Sequence, residues 1–211
     1  MSLEVARKKK PVVNWSRVTP VAPTFLGARR VEYDLAELVP YIDWNPFFQV
    51  WQLRGSYPTR NYPRVFEDAK VGEQARKLFD DAQAMLAEII AQRSLKAVGV
   101  VAFYPAQSVQ EDIEVYASEE AREGETAAKF YGLRQQAEKA TDEPYAALGD
   151  FVAPKGSGVK DYIGLFAVSA GFGLDELIAG HKAKHDDFSI ILAQALADRL
   201  VPHTHTRTAH A

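Results

Sequence analysis

Asp43 is the first residue whose surroundings suggest chemistry. It lies in Tyr41–Arg60, YIDWNPFFQVWQLRGSYPTR, where five large aromatics and this one carboxylate fall within the first eleven residues. It has two readings. As an N-cap its side chain would accept from backbone N–H groups in the first turn of a helix starting at Trp44. As a ligand anchor it would sit at the lip of an aromatic pocket and accept a hydrogen bond from the cationic amino group of a small molecule. Other candidates are weaker. His181 and His185 stand four apart on an expected helix, the spacing of a zinc-ligating pair. Lys182 occupies the place where a metalloprotease needs glutamate, no third ligand follows, and Lys182 and Lys184 oppose a cation. Glu119, Glu120 and Glu123 lack the ordered oxygen spacing that calcium requires. Gly171-Phe172-Gly173 resembles a dinucleotide turn, but Glu176 replaces the third small residue, leaving a tight strand-to-helix turn. Lys155-Gly156-Ser157-Gly158 lacks phosphate-loop spacing and reads as a flexible turn. Arg54, Arg60 and Arg64 share one loop, where they are either solvated or receive an acidic partner. With no Ser-His-Asp pattern and no cysteine nucleophile, no catalytic acid, base or nucleophile is assigned, and no metal site.

Phe47, Phe48 and Trp51 recur at helical spacing and should anchor a helix in the core. Before it, Phe25–Val31 suits a short strand and Leu35–Tyr41 a short helix. After it, Gly55, Pro58 and Pro63 punctuate a loop. Glu67–Gln92 is the best helix, with Val71, Ala75, Leu78, Ala82, Met85, Leu86, Ile89 and Ile90 as one apolar stripe, read as core. Ala97–Tyr104 reads as a buried strand ending at Pro105. Asp112–Ala117 and a return strand near Ala128–Leu133 make a hairpin around the acidic, water-facing turn Glu119–Glu125. Gly149–Pro154 reads as a short strand and Asp161–Ala170 as a second buried strand. Leu174–Leu200 reads as helical, with Gly180 a mild interruption. Pro202 should stop it near Leu200, since proline inside a helix costs about 3 kcal/mol.

The chain has 211 residues, 47% hydrophobic and 25% charged, with net charge -3 and no cysteine. Those values suit one soluble domain with arms. They give no reason to expect nucleic acid or an anionic membrane as partner. Without cysteine, disulfides and thiolate metal sites are impossible, which fits a cytoplasmic setting. No apolar run is long enough to span a membrane. The basic N-terminus, with Lys8-Lys9-Lys10-Pro11, lacks the apolar core of a secretory signal. The expected layout is an arm over 1–23, a domain over 24–200 and a tail of different character over 201–211.

An ordered series of segments carries a resemblance. Besides YIDW at Tyr41, these are VGEQARKLFDDAQAML from Val71, VGVVAFYPAQ from Val98, EDIEVY from Glu111 and LRQQAEK from Leu133. DFVAP from Asp150, DYIGLFAVSAG from Asp161 and HDDFSIILAQALADRL from His185 complete it. Over about Val18–Leu200 the chain resembles the activation domain of cobalamin-dependent methionine synthase, which binds S-adenosylmethionine. The resemblance implies an α+β fold, a twisted and mainly antiparallel sheet flanked by helices. The pattern of one hairpin and two long helices agrees.

The resemblance also implies a function in methionine biosynthesis. Such a domain takes part in the reductive methylation of inert cob(II)alamin. S-Adenosylmethionine is the methyl donor, cobalamin is held by a partner domain, and flavodoxin or a flavoprotein reductase supplies the electron. The protein's share would be positioning and electrostatics. Asp43 matches the residue that contacts S-adenosylmethionine in that family. The family's Arg-x-x-x-Gly-Tyr-Pro motif, which supplies further contacts, does not occur here, so the domain is expected to be incomplete at its C-terminus. The isolated chain is then expected to be an inactive part of a methyltransferase. The alternative is a non-catalytic docking module, or inactive fragment, that binds a cobalamin-carrying partner chain.

Overall fold

The structure, a computed structural model, describes residues 1–208, with the backbone alone for 201–208; the last three residues of the expected tail lie outside the described residues. In chain order its elements are α1 (Leu3–Lys8), β1 (Gly27–Tyr33), α2 (Leu35–Leu38), α3 (Trp44–Val50), α4 (Gly72–Gln92), β2 (Lys96–Val109), β3 (Asp112–Val115), β4 (Ala128–Phe130), β5 (Asp161–Phe172), α5 (Leu174–Lys182) and α6 (Asp187–Thr208). The strands make an open five-stranded sheet in the order β1-β2-β3-β4, with β5 also paired to β2. The architecture is the expected α+β type, an antiparallel sheet with flanking helices. The chain divides into two compact units, Met1–Arg29 with Val101–Leu165, and Arg30–Val100 with the chain from Phe166 onward.

In the first unit β2, β3 and β4 form an antiparallel meander. Ala106 pairs with Val115 and Val109 with Asp112, so the hairpin turns on Gln110 and Glu111. Gln110 takes a left-handed φ of 58° to make that turn. Strand β2 runs through Pro105 instead of ending there. Proline lacks only the N–H, and the Pro105 carbonyl still accepts from the Tyr116 N–H at 2.9 Å. The strand expected over Gly149–Pro154 is instead a 3-10 turn at Leu148–Phe151. Asp150 accepts from the Ala147 N–H at 2.9 Å and so closes the turn locally. The return strand is short, Ala128–Phe130, because the Gly132 N–H goes to the Asp112 side chain at 3.0 Å rather than to a ladder.

A buried charge network fastens this unit. Arg134 donates to both carboxylate oxygens of Asp150 at 2.7 Å and to Glu111 at 2.9 Å. Glu111 also accepts three bonds from Arg7 of α1, the shortest 2.7 Å. The Arg134 side chain is 1% exposed, so each charge survives desolvation only because its partners are fixed. Hydrogen bonds from Arg7, opposed by burial and supported by Arg134, hold the Glu111 carboxyl at about 2. Burial pushes the Asp150 carboxyl up, but the Arg134 fork outweighs it and the group stays below the ordinary range. The start of the expected arm is therefore folded, with Ala6 buried and the Tyr145 N–H donating to the Lys9 carbonyl at 2.9 Å. The acidic turn also differs from expectation. Arg122 within it is buried, bonding Glu119 and the carbonyls of Ala106 and Asp161.

The second unit holds the larger apolar core. Along α4, Ala75, Leu78, Ala82, Leu86 and Ile89 are buried at three- and four-residue spacing, as the stripe requires. Helix α4 begins at Gly72 rather than Glu67, because Arg64–Glu67 form a 3-10 turn and Asp68 then accepts from the Lys70 and Val71 N–H groups. Leu35, Leu38, Trp44, Phe47 and Phe48 pack in the same cluster as the α4 stripe and as Leu192, Leu196 and Leu200 of α6. Each such large side chain contributes roughly 1.5–3 kcal/mol on burial.

The helix expected over Leu174–Leu200 is two helices. His185 takes a left-handed φ of 54°, and Asp186 caps α6 by accepting from the Ser189 N–H at 3.0 Å. Helix α6 then continues to Thr208 instead of stopping near Leu200. A proline inside a helix removes one intrahelical bond at a cost of about 3 kcal/mol; upstream of Pro202, Leu192, Leu196 and Leu200 are buried in the core.

Candidate functional site

The site around Asp43 is assembled by a chain of local caps. Asp34 accepts from the Ala36 N–H at 3.0 Å and starts α2. A 3-10 turn, Val39–Tyr41, then turns the chain so that Ile42 is buried and Asp43 exposed. Asp43 Oδ1 accepts from the Asn45 N–H at 3.0 Å and from Asn45 Nδ2 at 2.9 Å. The N-cap reading of Asp43 is thus realised. Asn45 in turn accepts the Tyr62 N–H on its Oδ1 at 2.8 Å. One asparagine thereby ties the Asp43 carboxylate to the loop beyond α3.

The aromatics behind Asp43 are core rather than open pocket walls. Trp44 meets Phe47 and Phe79 edge-on at 5.2 and 4.8 Å, and Phe48 meets Phe66 edge-on at 5.8 Å. Trp51 caps the end of α3 and packs on Phe188 at 5.2 Å. The neighbouring concavity, lined among others by Asn45, Phe48, Arg54, Arg60 and Tyr62, has a volume of about 70 Å³. Small-molecule sites commonly need about 300–1,000 Å³, so this one takes a group and not a whole nucleoside-sized ligand. Asp43 does not line it.

The loop from Trp51 to Arg64 is held from below by Asp68, which is buried. Its Oδ2 accepts the Ser56 N–H at 2.7 Å and the Thr59 hydroxyl at 2.9 Å, and its Oδ1 accepts from Lys70 and Val71. The Ser56 amide, then Lys70 and Thr59, hold the carboxyl at about 2.

The other sequence candidates are not brought together. Helix α5 ends at Lys182, so His181 and His185 do not share a helix face. His181 Nδ1 lies 3.9 Å from Asp186, and no group of three or more potential metal ligands occurs among the described residues. Gly173, at φ 96°, makes the strand-to-helix turn before α5. Glu119 pairs with Arg122 and Lys160, and Lys155 with Glu114.

The model of the family "Vitamin B12 dependent methionine synthase, activation domain" matches residues 34–208. The chain belongs to that family. The activation domain is also similar to the crystal structure of the MetH reactivation domain bound to AdoHcy, at 43% sequence identity and a TM-score of 0.86. That similarity covers 95% of this chain and 59% of the other, so the chain spans 59% of the length of the protein it matches. Within the activation domain, three of the segments that carried the resemblance meet in space. Glu111 of EDIEVY, Arg134 of LRQQAEK and Asp150 of DFVAP are the members of the buried network. Sequence reasoning missed them as a group, because a charged residue in a polar stretch gives no sign of burial. Asn45 was missed too, although an asparagine two residues after a capping aspartate is the available signal.

Proposed function

We propose that this chain is the S-adenosylmethionine-anchoring part of an activation domain that serves the reductive methylation of cob(II)alamin in methionine biosynthesis. Cobalamin would be carried by a partner domain, and flavodoxin or a flavoprotein reductase would supply the electron, in the cytoplasm. The observation that carries the reading is Asp43, an exposed carboxylate fixed by Asn45 at the head of α3, in the segment that matches the family. It gains support from the relative described as bound to AdoHcy, which is S-adenosylmethionine less its methyl group.

The residues present fit one end of that ligand. A carboxylate held by two N–H donors of Asn45 has a fixed direction, which suits an ammonium group. When bound, S-adenosylmethionine supplies an electrophilic methyl and cobalamin the cobalt that accepts it. Asp43 orients the donor by its amino group and neutralises that charge; no proton moves to or from a side chain of this chain. A concavity of 70 Å³ does not enclose the rest of the ligand. The isolated chain should therefore bind S-adenosylmethionine more weakly than micromolar, since losing one charged contact typically costs on the order of 2–5 kcal/mol.

The test is a reactivation assay with full-length enzyme carrying Asp43→Asn. Loss of reactivation with methyl transfer from the primed enzyme intact supports the role. Unchanged affinity for S-adenosylmethionine in that variant removes Asp43 from the site. Micromolar binding by the isolated chain in calorimetry would show that its cleft suffices alone.

A further inference from the structure

The loop between α3 and α4 carries a feature that the methyl-donor reading leaves unused. Arg54 and Arg60 both line the 70 Å³ concavity beside α3, together with the polar side chains of Asn45, Gln49 and Asn61. Neither guanidinium makes an ion pair or hydrogen bond to another described residue. Asp68, the carboxylate bonded to Ser56 and Thr59 of this loop, is engaged by four donors.

The backbone that bears these arginines is fixed. The Leu53 N–H donates to the Phe48 carbonyl at 2.9 Å, and the residue after Arg54, Gly55, has φ 59°. A Cβ on Gly55 would meet the Thr59 carbonyl oxygen at 2.9 Å, so the two limbs of the loop touch there. Thr59, the residue before Arg60, is bonded to Asp68 and to the Ser56 carbonyl. The fixed backbone thus sets both arginines on the lining of one concavity, while their exposed side chains keep the freedom to close on a ligand.

We propose that Arg54 and Arg60 clamp a single tetrahedral oxyanion of the phosphate class in this concavity. Size and charge both favour that class. A concavity of about 70 Å³ admits a small ion and is far below the roughly 300–1,000 Å³ of a site for a larger ligand. A phosphate group carries about -1.5 to -2 charges at neutral pH, which matches two guanidiniums; a lone carboxylate leaves one unmatched. Guanidinium forks also present paired N–H donors in the geometry that phosphate oxygens accept. The ion comes either free or as a monoester on a larger molecule, and Arg54, Arg60 and Asn61 of the lining are exposed, so both sources reach them.

The inference is independent of S-adenosylmethionine binding and is tested on the 211-residue chain itself. Inorganic phosphate and methyl phosphate are titrated in parallel by phosphorus NMR in 150 mM sodium chloride, against wild type, Arg54→Gln, Arg60→Gln and Arg64→Gln. Arg64 is exposed on the same loop but does not line the concavity. Saturable binding of phosphate, weakened tenfold or more by Arg54→Gln and by Arg60→Gln but less than twofold by Arg64→Gln, supports the site. Equal binding of methyl phosphate identifies a carried group as an acceptable source, and exclusion of methyl phosphate identifies the free ion. No saturable binding, equal weakening by all three variants, or acetate binding that phosphate does not displace overturns it. Thermal melts of the three variants should coincide with wild type, because all three side chains are exposed.

Discussion

The Asn45 side-chain amide donates to Asp43 Oδ1 at 2.9 Å while the same side chain receives the Tyr62 N–H on its oxygen. The carboxylate proposed as ligand anchor therefore also caps a helix, and the two roles respond to different substitutions. Asp43→Asn keeps an oxygen that accepts from the Asn45 N–H and removes the charge. Its stability in urea should stay within about 0.5 kcal/mol of wild type. Asp43→Ala should lose about 1 kcal/mol through the cap alone. In full-length enzyme both should lose S-adenosylmethionine affinity. Equal destabilisation by Asn and Ala would show that the charge, not the cap, holds α3.

Arg134→Met should destabilise the chain by about 3–5 kcal/mol, because it leaves Asp150 and Glu111 buried without their shared partner. The midpoint of urea unfolding should fall while its slope is kept. A loss below about 1 kcal/mol would mean that water replaces the guanidinium.

Protonation of Asp68 should release the loop between α3 and α4. Its carboxyl lies at about 2 in the folded chain, against about 3.9 when unfolded. A lowered folded value contributes stability that is complete above about pH 4 and lost as pH falls towards 2. The Ser56 amide proton, which donates to Asp68 at 2.7 Å, should titrate with a midpoint near 2 in NMR spectra. In Asp68→Asn that step should vanish at every pH. A midpoint near 4 would show that the bonds do not persist in solution.

Two glycines a few residues apart should respond oppositely to alanine. Gly173 sits at φ 96°, and a Cβ there would run into the Ser94 carbonyl oxygen. Gly173→Ala should cost at least about 2 kcal/mol. Gly180 lies inside α5 with nothing within 4 Å of an added Cβ, so Gly180→Ala should gain up to about 1 kcal/mol. Thermal melts of the two variants check the pair, and a tolerated Gly173→Ala would deny the tight turn before α5.

The sequence by itself determined the family, the apolar stripe of α4, the buried aromatics of α3 and the cap at Asp43. Those follow from periodicity and from bonds between residues two or three apart, which the order of residues fixes directly. Tertiary structure decided what is local in space but distant in sequence. Glu111, Arg134 and Asp150 read singly as solvated charges and become one buried network, with the exposed Arg7 bonded to it, only when hairpin and turn converge. Leu174–Leu200 reads as one helix, and the left-handed His185 with the Asp186 cap divides it. Arg54 and Arg60 read as two loop cations, and Asp68, twelve residues beyond Ser56, fixes the loop that places both on one rim. Burial, handedness and shared rims depend on which segments meet, and no residue's type encodes that alone.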